Sequence, residues 1–518
     1  MVSGACLAIQ RRVFDVVGGW NDRETPVLHS DADFSFRIRR LGLSCVYTPH
    51  ASVTHIGHHS LSKKPDDTKR RDRGKASAFL LGKFPDLISR DPYFTEAIAD
   101  LAHRDFPDEF RLYMAHGKWS FAAPSVLIVS HDLTLSGAPR VALELAKALR
   151  AVGHRVLVVS PHDGPLRRQL QELGVSVAID ERALALDWSV SHLMDAFDVV
   201  VFNTVLSLSA THNLQSERKH IVYLHEGEYL SQLLETDPNV VHALDASDAI
   251  WAISRQTSAR IKQFASKTVV VPGCAAPEFD GILGNGSARG FRGPRESNKF
   301  VIQLLGSYEP RKGQDLAASA VQKLVTKGHQ VELRCNGRVL DQDFFRALCD
   351  VAQGSSGSIV LGQELEHDEY VEAILNADIV LVASRDEPLS LVAVDALAAG
   401  KALVISPQVG IYDYVIDGRS AFVAPSVAPN DLVSALERAM AASETGTSHE
   451  SFARADYERA FSSSIFANSV VKFVSDLAQG VATGPLQGGS RTFDGLESEL
   501  GEPQTLRLSK VKINEARG

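Results

Sequence analysis

Along most of the chain, short apolar runs of four to six residues rich in Val, Ile and Leu alternate with longer stretches in which apolar side chains return every three to four positions. The short runs read as strands buried on both faces of a parallel sheet, and the longer stretches as helices laid across it. The first complete unit is a strand at 125–130, a helix at 140–152 and a strand at 155–159. Val141, Leu145, Leu149 and Val152 keep helical spacing, and Gly153 stops the helix. Further strands are predicted at 199–202, 221–224, 250–253 and 268–271. A Gly-rich, basic stretch without period follows, from Gly281 to Pro294, and reads as a linker. The alternation then resumes with strands at 300–305, 330–334, 358–361, 378–383 and 402–405 and helices at 315–326, 369–375, 391–399 and 429–442. Such a pattern predicts an α/β fold of two doubly wound, Rossmann-like domains facing one another, with a ligand cleft between them.

The boundaries that follow are a segment at 1–105, a linker at 106–123, a first domain at 124–280, a linker at 281–298, a second domain at 299–480 and a tail at 484–518. Gly, Ser, Glu and Gln dominate that tail, which is expected to be disordered. The first segment fits neither domain. It holds a Gly18-Gly19 turn, the acidic pair Asp31 and Asp33, the histidines His50, His55, His58 and His59, and a basic run from Lys63 to Lys75 that reads as a solvated face.

Charge and cysteine content narrow the function. A net charge of −9 argues against nucleic acid as a partner. No apolar run reaches the ~18 residues of a membrane span, and the start has no signal-peptide layout, so the expected location is cytoplasmic, with peripheral contact at the inner face of the membrane left open. The five cysteines are scattered and form no C-x-x-C pair, and the histidine spacing matches no zinc pattern, so no metal and no cofactor is expected. A nicotinamide dehydrogenase is disfavoured because no G-x-G-x-x-G joins a strand to a helix; Gly284-Asn285-Gly286 lies in the linker.

Candidate chemistry concentrates in Ser384-Arg385-Asp386-Glu387-Pro388-Leu389-Ser390 and the small-residue helix that follows to Gly400. Glu387 and Asp395 bracket a helix N-terminus, whose unpaired N–H groups suit phosphate while carboxylates accept from sugar hydroxyls. Asp395 inside an apolar helix is costly without partners, and the hydroxyls of a bound ligand would supply them. Arg311 and Lys312, between a strand and a helix, are the candidate cations for a bound phosphate. Gly137 lets backbone approach a ligand without a Cβ in the way, and His225 stands at the carboxyl end of a strand, where open α/β sheets bind ligands.

With those residues in view, 124–473 resembles the family 4 glycosyltransferases. Three signatures carry the likeness: Leu135-Ser136-Gly137-Ala138-Pro139-Arg140 with Gly153-His154-Arg155-Val156, Gly306-Ser307-Tyr308-Glu309-Pro310-Arg311-Lys312-Gly313, and Glu387 to Asp395 as an E-x7-E-like pair. The resemblance implies a GT-B fold and transfer of a sugar from a nucleotide-sugar donor to a glycan, lipid-linked or other glycoconjugate acceptor. It further implies retention of configuration and a part in cell-surface polysaccharide synthesis. It implies His225 and Glu387 at the catalytic centre. The donor would be held by Gly137, Arg311, Lys312, Glu387, Leu389, Ser390, Leu391 and Asp395, the last on the ribose. The sequence departs from that family in Asp395 for Glu, Ser307 for Arg, and Pro388-Leu389-Ser390 for Gly-Phe-Gly. A nucleotide-sugar epimerase of the same fold, or a degenerate binding scaffold, are the alternatives.

The first hundred residues resemble instead the C-terminal end of family 2, GT-A type glycosyltransferases, through Val17-Gly18-Gly19-Trp20, Ser30-Asp31-Ala32-Asp33-Phe34 with Arg37, and Tyr47-Thr48-Pro49 with His55. Asp31 matches that family's catalytic base. The likeness implies that a D-x-D nucleotide-binding half precedes residue 1, or that the piece, with Asp31 and His55, is a relic.

Overall fold

The computed structural model describes residues 4, 6–46, 48, 50, 53–54, 65–84, 87, 111–115, 123–184, 193–213, 218–280, 299–445 and 449–481. The linker expected at 281–298, the tail at 484–518 and His55 lie outside them.

Uninterrupted Val, Ile and Leu runs become strands covered on both faces. The first sheet comprises β1 (Arg111–Tyr113), β2 (Val126–Ser130), β3 (Val156–Ser160), β4 (Ser176–Ile179), β5 (Val199–Asn203), β6 (Lys219–Leu224), β7 (Ala249–Ala252) and β8 (Thr268–Val270), in spatial order β1-β4-β3-β2-β5-β6-β7-β8. All pair in parallel except β1, which lies antiparallel on the β4 edge. That edge strand comes from the stretch read as a linker at 106–123. The second sheet comprises β9 (Phe300–Leu305), β10 (Val331–Asn336), β11 (Ile359–Gly362), β12 (Ile379–Val382), β13 (Ala402–Ile405) and β14 (Phe422–Val423). It is wholly parallel, in order β11-β10-β9-β12-β13-β14. The two Rossmann-like domains expected from the alternation are therefore present.

Strand order reverses between β2 and β5 in the first sheet and between β9 and β12 in the second. At such switch points the loops leave in opposite directions and open a crevice beyond the carboxyl ends of the strands. The helices Gly137–Ala151, Gln314–Thr326 and Leu391–Ala398 start at these crevices.

One hydrophobic core runs across the domain boundary. It joins Val141, Leu145, Trp251 and Cys274 of the first domain to Ala393, Leu397, Val409 and Ile411 of the second. Helix Ser463–Ala478, which chain order assigns to the second domain, contributes to the same core and lies against helix Gly137–Ala151. Phe466, Val470, Phe473, Val474 and Leu477 form its buried stripe, and Phe473 meets Trp251 edge-on at 5.5 Å between ring centres.

Ahead of the first domain lie helices Arg11–Val17, Ser30–Arg40 and Asp66–Lys83; Phe34 of the second is buried and touches Phe14 and Trp20 at 5.6 and 4.7 Å between ring centres. From Asp66 on, the basic run is the start of the third helix, whose later turns bury Ala76, Ala78, Leu80 and Leu81. Leu81 enters the first domain's core and its carbonyl accepts from Arg155 at 3.1 Å, so this helix docks on the domain. Among the described residues no helix is long and apolar enough to cross a membrane.

Because the last helix fastens the second domain to the first through Phe473, 2% exposed, Phe473→Ala should cost about 3–5 kcal/mol. Urea unfolding measures it; a loss under about 1 kcal/mol, the size of a surface change, would show that the crossover contributes little.

Candidate functional site

A cleft of about 670 Å³ lies between the two domains at the switch points. Its first wall is the loop and first turn of helix Gly137–Ala151 with His225 and Glu226 after β6; its second is the Gly306-Ser307 loop, Arg311, Lys312, Arg338 and the segment from Glu387 to Val392.

On the second wall the chain leaves β9 and turns back at Gly313 before helix Gln314–Thr326. Gly313 has φ +71°, and a Cβ there would stand 2.1 Å from the Ala383 carbonyl oxygen, so only glycine fits. The turn presents Arg311 and Lys312 to Glu387, 8% exposed. Glu387 Oε2 accepts from Lys312 Nζ at 2.6 Å, Arg311 at 3.2 Å and Ser384 Oγ at 3.4 Å. Burial pushes this carboxyl up, but Lys312 and Arg311 outweigh it and hold the group below the usual range. Oε1 accepts no hydrogen bond among the described residues, leaving it for a ligand. Arg311 also donates to the Asp386 carbonyl and to Glu309 at 3.0 Å each, and Ser307 Oγ donates to Glu309 at 2.7 Å. Where the resembled family has an arginine, Ser307 thus braces the carboxylate that holds Arg311.

The helix after Glu387 is capped by Ser390, whose Oγ accepts from Ala393 N at 3.2 Å. The N–H groups of Leu391 and Val392 have no partner among the described residues, and both residues line the cleft with Leu389. Opposite stands the N-terminus of helix Gly137–Ala151. A Cβ on Gly137 would meet nothing nearer than Leu391 Cδ1 at 3.9 Å, so open space lies before that turn.

His225 also faces the cleft. Its Nε2 pairs with Asn203 Oδ1 at 2.9 Å and its ring lies 4.4 Å from that of Tyr223. Burial, aided by His131, pulls its pKa down to about 3, so the imidazole is neutral at physiological pH. Burial pushes neighbouring Glu226 up to about 7 despite hydrogen bonds from Val205 N and His225 N.

Asp395 departs from expectation. It is fully buried, and the protein already supplies its partners: Oδ1 accepts from Ala276 N at 2.8 Å, Oδ2 from Tyr370 Oη at 2.6 Å and Arg140 at 3.3 Å. No oxygen is left for a ribose, and the residue does not line the cleft. Arg140 and Ala276 belong to the first domain, so Asp395 pins the domains together. Asp386 makes a second such contact, accepting from Glu228 N at 2.8 Å at the start of helix Glu228–Thr236 and from Arg260 at 3.4 Å.

The structure therefore brings together Gly137, His225, Arg311, Lys312, Glu387, Leu389, Ser390 and Leu391, and leaves Asp395 behind the wall. Asp31 lies outside the cleft, accepting from Gly4 N at 3.1 Å. Among the described residues no group of three or more His, Cys, Asp or Glu is placed to hold a metal ion. Sequence reading missed Arg140, Asn203, Arg338, Tyr370 and Asp386. Arg140 and Asp386 stood inside quoted stretches, and Asn203 follows a predicted strand as His225 does; Arg338 and Tyr370 carried no local signal.

Comparison with known proteins gives this cleft a context. Residues 122–272 match the model of glycosyl-transferase family 4, and residues 290–458 that of glycosyl transferases group 1. Over 154 residues the chain is 28% identical to a glycogen synthase of Rhodopseudomonas palustris, covering 30% of this chain and 31% of that one. Over 152 residues it is 26% identical to lipopolysaccharide 1,2-N-acetylglucosaminetransferase of Salmonella typhimurium, covering 28% and 40%. The chain thus spans well under half the length of these curated relatives. The crystal structure of HepE from Anabaena in complex with UDP and glucose superposes with a TM-score of 0.56 at 19% identity, covering 68% of this chain and 99% of that one. The fold is GT-B, and the two matched segments are glycosyltransferase domains. Neither match reaches the first 121 residues, so the GT-A likeness of that segment finds no support in them.

Asp395→Ala would leave Arg140, 21% exposed, without its counter-charge, and should cost about 3–5 kcal/mol in denaturant unfolding; a near-neutral result would show that the pin is dispensable. A second expectation concerns pH. The folded pKa of His225 lies below its unfolded value, so between about 6.5 and 3 the unfolded state binds more protons and stability is lost as pH falls. His225→Gln should remove that share of the loss between pH 7.5 and 5; an undiminished loss would contradict burial of a neutral ring.

Proposed function

We propose that the chain, built on two GT-B glycosyltransferase domains, transfers a sugar from a nucleotide-sugar donor to a glycan or glycoconjugate acceptor. The observation that carries this reading is the state of Glu387: one oxygen clamped by Lys312 and Arg311, the other unpartnered, in the same cleft as two helix N-termini. In this reading the diphosphate lies by Lys312 and the N–H groups of Leu391 and Gly137, where positive charge meets the negative charge that builds up as the nucleotide departs. Glu387 Oε1 accepts from a hydroxyl of the donor sugar, and neutral His225 faces the same sugar from the other wall.

The transfer is taken as retaining, by attack on the face from which the nucleotide leaves, with no residue named as nucleophile. The UDP and glucose in the HepE complex make UDP-glucose the first donor to try. The Salmonella relative, by its name a lipopolysaccharide glycosyltransferase, supports a role in cell-surface polysaccharide synthesis. We place the reaction in the cytoplasm, with peripheral contact at the membrane where the acceptor is lipid-linked.

Incubating the full chain with UDP-, ADP-, GDP- and dTDP-sugars, while following nucleotide release and sugar isomerisation, tests the reading. Nucleotide release with one donor is expected, and Lys312→Ala or Glu387→Ala should lower kcat by about 10²–10³-fold, the size of losing one hydrogen-bonding contact to the transition state. Isomerised sugar without nucleotide release would show an epimerase instead. No donor binding, with Glu387→Ala indistinguishable from the parent, would overturn catalysis altogether.

A further inference from the structure

We propose that Asn203 is a positioning residue that fixes the tautomer of His225, so that Nδ1 presents a lone pair to the cleft and the ligand group opposite it is a hydroxyl. The inference rests on the reading of His225 as a donor-sugar contact.

Asn203 ends β5 at the switch point and is fully buried. Its Nδ2 donates to the Ala138 carbonyl at 3.0 Å. That bond sets the orientation of the amide, because the flipped form would bring two carbonyl oxygens together. The amide oxygen is then what meets His225 Nε2 at 2.9 Å, and only an N–H suits an acceptor there. His225 Nε2 therefore carries the proton and Nδ1 is bare. Nδ1 has no partner among the described residues, and His225 lines the cleft.

The backbone around Asn203 is built to hold this geometry. Thr204, a buried β-branched residue, has φ +96°, a conformation that costs energy and persists only where neighbours over-determine it. They do: Thr204 N donates to the Tyr223 carbonyl at 2.8 Å, and the Thr204 carbonyl accepts from Ser207 Oγ at 2.8 Å. One carboxyl ties the two loops, since Glu226 accepts from Val205 N at 3.0 Å and from His225 N at 2.9 Å. The strained turn and the histidine thus share an anchor, and their separation is fixed before any ligand arrives.

The ring lies against Tyr223 on β6 and near His131 on the loop after β2, itself near Arg338 from the second domain, while Glu226 holds the His225 backbone N–H. Burial holds His225 neutral among them. A neutral imidazole with its proton committed to Asn203 accepts from a hydroxyl and disfavours a carbonyl or phosphate oxygen at the same place. The cleft position opposite Nδ1 therefore selects a sugar hydroxyl.

The test uses the full chain labelled with ¹⁵N-histidine, with long-range ¹H–¹⁵N correlation spectra recorded between pH 5 and 8 and the His225 signals assigned by their loss in His225→Gln. The parent should show neutral His225 with the proton on Nε2 throughout. Asn203→Leu should populate the Nδ1–H form and lower kcat about tenfold or more with KM for the donor little changed, within the range a positioned proton-transfer or hydrogen-bonding group contributes. Asn203→Asp should keep the Nε2–H form but move the ring's titration upward, because a carboxylate favours the imidazolium. An Asn203→Leu spectrum with parent-like Nε2–H overturns the proposal, whatever happens to activity. If Asn203→Leu does not fold, a parent-like titration in Asn203→Asp overturns it equally. The spectra do not depend on turnover, so absence of sugar transfer would sink the functional reading and leave this result standing on its own.

Discussion

The cleft exists in its observed shape because Asp395 is buried between the domains with all its partners in place. Its oxygens receive Arg140, Tyr370 and the Ala276 amide, drawn from both domains. A carboxylate removed from water is tolerated only when its hydrogen bonds and charge are answered locally, which ties these groups to one arrangement. Arg140 sits in the first turn of helix Gly137–Ala151, and Asp395 in helix Leu391–Ala398. Holding the two together sets the helix N-termini on facing walls of one cleft. Asp386 repeats the device nearby, and Gly227 is where it fits: a Cβ there would stand 2.3 Å from the Asp386 carboxylate. The shared hydrophobic core and the returning helix Ser463–Ala478 close the joint from behind.

Within that frame the ionisable groups are sorted by their surroundings. Glu387, beside Lys312 and Arg311, is held ionised; Glu226, buried without a cation, is pushed up to about 7; His225, buried against His131, stays neutral with a pKa of about 3. The second wall thus offers cations and amides suited to phosphate, and the first wall adds a helix N-terminus at Gly137 and the neutral imidazole of His225, suited to a hydroxyl. A nucleoside diphosphate joined to a sugar presents those two kinds of group end to end.

Much of this was legible in the sequence because it is local. Strands 300–305 and 402–405 were placed as observed, and Arg311 and Lys312 before helix Gln314–Thr326 and the cap region after Glu387 follow from neighbouring residues. What escaped is long-range. Asp395 and Arg140 are 255 residues apart, and no local pattern tells a carboxylate waiting for ribose from one answered by another domain. Asn203 carries no motif, and Asp386 stands in the Ser384–Ser390 stretch with nothing to mark its role, since both roles come from what the folded loops bring within 3 Å. The edge strand β1 is three residues long and too short for any period to show. The short strand β14 escaped for the same reason. The GT-A likeness of the first segment rested on order of residues alone; its Asp31 contacts the Gly4 amide and lies away from the cleft.

The central claim is that this cleft binds the diphosphate of a nucleotide sugar between Lys312 and the helix N-termini. A crystal structure of the full chain with UDP tests it most directly. The account predicts diphosphate oxygens within about 2.7–3.2 Å of Lys312 Nζ and of the Leu391 or Gly137 N–H groups. UDP bound with its diphosphate away from Lys312, or a cleft left without UDP at saturating concentration, would contradict it.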